Sequence, residues 1–279
     1  MTPNPFNIPR FLIDTIAEGE CVVFVGAGLS VQAGLPTWVG LIRDMLTWAL
    51  NHNPGLSTAS AIRTRINNGR FMEAAEALIG AMTPNEQRDF MIHTFAQAAP
   101  ADAHRILAEI PFQAVITTNF DLLLEEVYPR RTPTLDYTQR GNIQRVLAED
   151  AFHIFKAHGD YNGEAHNPPI LTRSQYRNLL LNKHPAYSEY LRRVLSEKHV
   201  LFLGYSLQDP DLNFVLDTVQ DIFDGHLPTH YALFPQSEID ELTGADNLSR
   251  NIRILSYPDH SQLVPWLRSL ADEVAKSTP

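Results

Sequence analysis

Six short β-branched or apolar runs, each closed by a polar or glycine-containing turn, predict a Rossmann-like, doubly wound parallel α/β sheet of about six strands. The stretches between them are long enough for helices and carry helix start signals, which favours parallel crossovers over hairpins. Glycine and small residues directly after the first run fit the ligand-facing turn of such a sheet.

The expected strands are Cys21 to Val25, Ala114 to Ile116, Phe152 to Phe155, Val200 to Leu203, Tyr231 to Phe234 and Ile252 to Leu255. Far more residues separate the first two than one crossover helix needs, and their pattern is largely helical. Thr37 opens an amphipathic stretch to about Leu50. Phe71 to Met82 sets Phe71, Ala75, Leu78 and Met82 on one face, and Thr83-Pro84-Asn85-Glu86 reads as a capping box with proline at the first helical position. These segments are expected to form a helical insertion over about 40–110 that walls one side of a cleft. A second insertion, about 161–198, carries Tyr187, Tyr190, Leu191 and Val194 at helical spacing, a stripe that reads as core packing. Within it, Asn167-Pro168-Pro169 predicts a surface loop. The whole chain, 1–279, is read as a single domain with these two insertions.

The chain of 279 residues is 44% hydrophobic, enough to bury a sizeable core. Its apolar runs fall far short of the roughly 20 residues a membrane helix needs. Met1 to Arg10 lacks the basic-then-apolar order of a signal peptide, so a cytoplasmic location is expected. Cys21 is the only cysteine, which excludes an intrachain disulfide and any site held by several thiolates of this chain. A formal net charge of -10 argues against direct nucleic-acid binding.

Four strand ends carry candidate chemistry. The first is Gly26-Ala27-Gly28-Leu29-Ser30, where small residues let backbone amides approach a pyrophosphate that the following helix dipole also stabilises. The dinucleotide fingerprint is incomplete, because Val31 stands where its third glycine would fall, and no Gly-Lys-Ser/Thr makes it a P-loop. Read alone, the loop serves equally as a tight turn in another α/β protein. The second is Thr117-Thr118-Asn119-Phe120-Asp121, whose polar side chains either face the crevice or simply cap and favour a helix over Leu122 to Val127. The third is Lys156-Ala157-His158-Gly159-Asp160: a lone histidine is commonly structural, yet His158 has the position and titration range of a general base. The fourth is Gly204-Tyr205-Ser206, followed by Asp209-Pro210. Ser206 suits a phosphate, and Asp209 suits an ordinary N-cap. Neither Ser30 nor Ser206 lies in a G-x-S-x-G turn, which disfavours a serine hydrolase.

Together, the order and spacing of these segments resemble the sirtuin superfamily over roughly Cys21 to Leu216. Gly26-Ala27-Gly28 with Ser30, Gly34 and Pro36 is similar to the sirtuin glycine loop. Thr117 to Asp121 is similar to the family's Thr-Gln-Asn-Ile-Asp segment, His158-Gly159 to its His-Gly, and Gly204-Tyr205-Ser206 to its Gly-Thr-Ser. The departures matter. A single cysteine cannot supply the four thiolates of the deacylases' zinc module, so zinc is not expected. Thr37-Trp38-Val39 stands where the deacylases have Asp-Phe-Arg, and Leu233-Phe234-Pro235 has no clear counterpart of their Asn-x-Glu near it. With Leu171-Thr172, Tyr176 and Asp209-Pro210, the chain looks most like the bacterial sirtuin-like NAD hydrolases of antiphage defence.

That resemblance implies an NAD hydrolase that cleaves the nicotinamide–ribose bond to nicotinamide and ADP-ribose, with NAD as substrate. It implies Asn119, Asp121 and His158 as catalytic residues, and Gly26, Ala27, Gly28, Ser30, Pro36, Trp38, Thr118, Gly204 and Ser206 around the ligand. Asn119 would orient the nicotinamide ribose or a water, Asp121 would hold the carboxamide, and His158 would take a proton. Trp38 either covers the nicotinamide or packs in the core. The expected sheet and insertions leave little room for a sensor domain. Activation would then come from a separate protein, Argonaute-like or an ATPase by resemblance alone, or from assembly into a homo-oligomer. An NAD-dependent protein deacylase and a non-catalytic NAD or ADP-ribose sensing module are the alternative functions.

Overall fold

The computed structural model describes residues 6–163, 167–179, 184–205, 213, 216–217, 219–221, 226–239 and 250–277. Seven strands form one sheet: β1 (Cys21–Val25), β2 (Val115–Thr117), β3 (Thr134–Asp136), β4 (Ile154–Lys156), β5 (His199–Leu203), β6 (His230–Pro235) and β7 (Ile252–Tyr257). Their order is β3-β4-β2-β1-β5-β6-β7, and every pairing is parallel. Six correspond to the expected strands within a few residues. The seventh, β3, escaped the sequence reading because it is three residues long with Leu135 as its one aliphatic side chain. Only its pairing with β4, Thr134 opposite Ile154, makes it a strand.

Alternation along the central strands shows why the sheet must be covered twice. Val22 and Phe24 of β1, Val200 and Phe202 of β5, and Ala232 and Phe234 of β6 point into one core cluster. Cys21, Val23, Val25, Leu201, Leu203, Tyr231 and Leu233 point into another on the opposite face. Strands apolar on both faces read as continuous hydrophobic runs and are stable only between two helix layers. The first layer contains α9 (Arg140–Glu149) and α11 (Pro185–Glu197). The second contains α1 (Arg10–Ala17), α7 (Asp102–Leu107) and α12 (Leu263–Ser277), with Trp266 fully buried at its centre.

The helices α3 (Trp38–His52), α4 (Ala59–Asn67), α5 (Phe71–Ala81) and α6 (Pro84–Phe95) form a third, separate core. Thr37 caps α3 by accepting the Gly40 amide, and Thr83 and Glu86 make the reciprocal box that opens α6, as their spacing predicts. Two expected boundaries differ. Residues from Asp102 to Leu107 were assigned to the first insertion, yet α7 turns Ala103, Ile106 and Leu107 onto the sheet. Likewise α11 buries Tyr187, Tyr190, Leu191 and Val194 against the sheet as the crossover helix into β5. The Asn167-Pro168-Pro169 loop is half-buried instead of at the surface: Asn167 donates to Asp136 at 3.1 Å, and the Tyr137 hydroxyl donates to the Pro168 carbonyl at 2.7 Å. Among the described residues, no helix is long and apolar enough to cross a membrane.

Three histidines lie inside these layers, and burial lowers the pKa of each: His104, His153 and His230, the last to about 4 with help from nearby His199. Between that value and the ordinary 6.5, the unfolded chain binds a proton at position 230 that the folded chain does not. The stabilisation is therefore complete above pH 6.5 and lost as the pH falls toward 4. It amounts to about 3 kcal/mol for His230. Urea unfolding should show wild-type stability falling more steeply than that of His230→Gln between pH 6.5 and 4, by about 3 kcal/mol over that window. Parallel slopes would rule out this titration.

Candidate active site

All the strands being parallel, their carboxyl ends lie on one edge of the sheet, and the direction of winding changes beside β1, between β2 and β5. Open α/β sheets have their crevice at such a point. Here it is a cavity of about 1430 Å³, larger than the ~300–1000 Å³ typical of small-molecule sites. Ala27, Gly28, Ser30, Pro36, Trp38, Thr118, Asn119, Asp121, His158 and Gly204 all line it. Gly26 is buried and not among the lining residues, and Ser206 is outside the described residues.

The glycines of the first loop answer to β5 before any ligand. Gly26 donates its amide to the Leu203 carbonyl at 2.9 Å, and Gly28 donates to the Gly204 carbonyl at 2.8 Å. A Cβ on Gly26 would lie 2.5 Å from the Gly204 oxygen, and one on Gly28 2.9 Å from the Gly204 Cα. Gly204 itself sits at φ +61°, where a Cβ would meet the Leu29 nitrogen at 2.3 Å. The sequence reading assigned these amides to a pyrophosphate, whereas two of them are spent on holding β1 to β5. The helix expected after the loop is also only one turn, α2 (Ala27–Ser30), followed by a 3-10 turn over Val31–Ala33, so its dipole is small. Gly34 closes that turn in the left-handed region, at φ +81°.

α2 delivers Ser30 beneath the loop. Ser30 borders the cavity but is 1% exposed, and its hydroxyl faces inward instead of toward a phosphate: it donates to Asp121 Oδ2 at 2.9 Å and accepts from Asn119 Nδ2 at 3.1 Å. Asn119 Nδ2 also donates to the Gly26 carbonyl at 3.2 Å, which fixes the amide orientation because a carbonyl can only accept. Thr117 bonds the Val25 carbonyl at 2.9 Å and receives the Asn119 amide at 3.0 Å. The Asn119 oxygen is different: among the described residues, Oδ1 is buried without a hydrogen-bond partner, in a residue that lines the cavity.

The capping alternative is decided by the helix that follows, α8 (Leu123–Val127). Asn119 does not cap it, whereas Asp121 Oδ1 accepts the Leu123 amide at 3.2 Å. Asp121 is held from behind as well, where Lys156, 1% exposed, donates to its backbone carbonyl and pairs with Glu125 at 3.1 Å. Burial raises the Glu125 carboxyl, against the opposing pull of Lys156. His158, 3% exposed at the end of β4, meets the Tyr176 hydroxyl through Nδ1 at 3.2 Å, with the two rings edge-to-face. Tyr176 comes from α10 (Arg173–Asn178). Trp38 is half-buried, borders the cavity and packs on the helical insertion. Among the described residues, no three His, Cys, Asp or Glu side chains are grouped to hold a metal.

The sequence reading missed His104, Glu125 and the positioning role of Lys156. His104 left a signal, a polar residue three positions after Ala101 in an otherwise apolar helix face.

The description SIR2-like domain fits residues 113–255, just over half of the chain, which takes in Thr117 to Asp121, His158 and Gly204. The chain belongs to the SIR2-like family. Among its relatives is a protein named NAD(+) hydrolase ThsA from Acinetobacter baumannii (strain 532279), 26% identical over 246 residues, 86% of this SIR2-like chain and 48% of that protein. Another, named Defense-associated sirtuin 2 from Bacillus subtilis, is 24% identical over 225 residues, 78% of this chain and 21% of its own. A solved chain described as Sir2-p53 peptide-NAD+ aligns with a TM-score of 0.49 and 16% identity, covering 96% of this chain and 99% of that one. The chain thus spans about half the length of the ThsA relative, or less for the longer protein.

The β1–β5 contact makes a measurable difference between glycines. Gly204→Ala should destabilise the protein by about 3 kcal/mol, from left-handed strain plus the clash with Leu29. Gly141→Ala, in α9 with open space around its Cβ position, should be neutral or stabilising by up to about 1 kcal/mol. The thermal melt of Gly204→Ala should fall while that of Gly141→Ala holds or rises; a Gly204→Ala melt equal to wild type would refute the contact.

Proposed function

We propose that this SIR2-like chain is an NAD glycohydrolase: NAD+ and water give nicotinamide, ADP-ribose and a proton. The observation that carries the reading is the convergence on one cavity of Asn119, whose buried Oδ1 lacks a partner, and His158, from the ends of β2 and β4. An unpaired buried carbonyl oxygen is costly in a folded protein unless a ligand or water completes it. The name of the ThsA relative supports the reaction class.

Cleavage of the nicotinamide–ribose bond passes through an oxocarbenium-like ribose, so holding the geometry does much of the work. Asn119 Oδ1 accepts a hydrogen bond from a ribose hydroxyl or from the attacking water. His158 takes the proton as that oxygen gains a bond to the ribose carbon, and the bonding electrons leave with nicotinamide. Asp121 has carboxylate lone pairs left to accept the nicotinamide carboxamide N–H. Ala27, Thr118 and Gly204 border the remainder of the dinucleotide, and Ser206, outside the described residues, is assigned to its phosphates. Ser30 serves the site from below by orienting Asp121 and Asn119, and Trp38 with Pro36 shields the reacting bond from bulk water.

The word defense in the name of the Bacillus subtilis relative supports a role in defence, and we extend it by proposal to an NAD-depleting antiphage effector that acts in the cytoplasm by abortive infection. A toxic activity needs restraint, and we assign that control to a separate activator protein or to self-assembly.

Nicotinamide release from NAD, followed by chromatography, tests the reading. Asn119→Ala and His158→Ala should each reduce release at least about a hundredfold while the circular dichroism spectrum stays native, with Asn119→Ala also melting lower because the Gly26 carbonyl and Ser30 hydroxyl lose a donor. Undiminished release in both folded variants would overturn the assignment. Release that requires an acyl-lysine peptide would establish a deacylase instead, and NAD binding without turnover under all conditions would establish a sensing module.

A further inference from the structure

The buried polar cluster behind the cavity contains a histidine that none of these roles uses. His104 lies on α7 with no exposed surface. Its Nδ1 accepts the backbone amide of Ala101 at 3.3 Å, in the place a Glu or Gln takes in a capping box. An amide can only donate, so Nδ1 carries a lone pair and the proton of the neutral ring sits on Nε2. Burial favours that neutral ring.

Nε2 faces the Ser30 hydroxyl at 3.4 Å. Ser30 therefore accepts from His104 on one lone pair and from Asn119 on the other, at 3.1 Å. Its one proton is left with a single direction, toward Asp121 Oδ2 at 2.9 Å. A hydroxyl normally rotates to suit its surroundings, and this one has all three capacities filled in one arrangement. The cluster is not a hydrolytic triad, because the serine stands between the histidine and the aspartate and gives its proton to the aspartate.

We infer that His104 is a positioning residue: by fixing the Ser30 hydroxyl it orients the Asp121 carboxylate and the Asn119 amide that face the cavity. The inference rests on the NAD-cleavage reading for its consequence, and on local geometry for its cause. Without the Nε2–H, one Ser30 lone pair is empty, the hydroxyl regains its rotation, and Asp121 loses a fixed donor. Ground-state binding, spread over a large cavity, should change little.

Two variants of similar size separate positioning from packing. In His104→Gln, the amide oxygen can accept from Ala101 and the amide nitrogen can donate to Ser30; in His104→Leu, neither bond exists. Steady-state nicotinamide release should show His104→Leu with kcat lowered about tenfold and KM within about threefold of wild type. His104→Gln should recover kcat to within about threefold of wild type. In a Ser30→Ala background, His104→Leu should lower kcat by less than about twofold further, because its effect passes through the serine. Equal losses in the Leu and Gln variants, or full additivity with Ser30→Ala, would overturn the inference.

Nitrogen-15 NMR of wild-type His104 at neutral pH should show protonation at Nε2; protonation at Nδ1 would overturn the proposal. Crystal structures should show Asp121 reoriented in His104→Leu and unchanged in His104→Gln, and an unmoved Asp121 in the Leu variant would equally overturn it. If the wild type releases no nicotinamide under any condition, activator and assembled states included, the cleavage reading fails, and these two structural measurements still decide the role of His104.

Discussion

The amides of Gly26 and Gly28 reach the carbonyls of Leu203 and Gly204, and the placement of the site follows from that contact. Past paired residues Val25 and Leu203, the chain from β1 would ordinarily leave the sheet for a helix layer. Here the two backbones stay together beyond the strand ends, which is possible because no side chain stands at 26, 28 or 204. The short α2 then starts at once and carries Ser30 under the loop, within reach of residues at the end of β2. Replacing any of these glycines would separate the loops and move Ser30 away from Asp121 and Asn119.

Around that anchor, the polar groups satisfy one another almost completely. Thr117 ties Asn119 to the end of β1, Ser30 ties Asn119 to Asp121, and Lys156 ties the Asp121 backbone to Glu125 on α8. In surroundings of low effective dielectric, such bonds are stronger than in water and an unpaired group is correspondingly expensive. The network fixes the crevice floor; among the described residues Asn119 Oδ1 is left without a hydrogen-bond partner, and the Glu125 carboxylate has the Lys156 ion pair in place of one. A rigid floor also suits chemistry that depends on alignment more than on a strongly activated nucleophile.

The walls are built differently. The helical insertion has its own core and faces the cavity with Trp38 and Phe71, while α10 supplies Tyr176 to His158. Glu76 of α5 accepts the Ser174 hydroxyl at 2.6 Å and the Ser174 amide at 3.2 Å, which joins the insertion to α10. Segments far apart in the chain thereby enclose one space. His158 takes its backbone from the sheet and its side-chain partner from the wall, so its orientation depends on both.

Local pattern carried much of this molecule. Continuous apolar runs in β1, β5 and β6 mean burial on both faces, and the Thr83–Glu86 box marks the start of α6 without any tertiary information. Edge strand β3 was illegible because its residues have no strand pattern of their own; partner β4 makes them a strand. The boundaries drawn around α7 and α11 erred for a related reason, since helical periodicity tells which face is apolar and not which core receives it. The residues at the strand ends were also legible, because parallel strands must present their carboxyl ends to a common crevice. The sequence by itself determined the parallel α/β class, the four polar strand ends and the family resemblance they carry. Only the tertiary structure decided that the glycines serve the β1–β5 contact, that Ser30 turns inward, and that His104 stands behind it. Hydrogen-bond direction and close backbone approach depend on chain segments that come together only on folding.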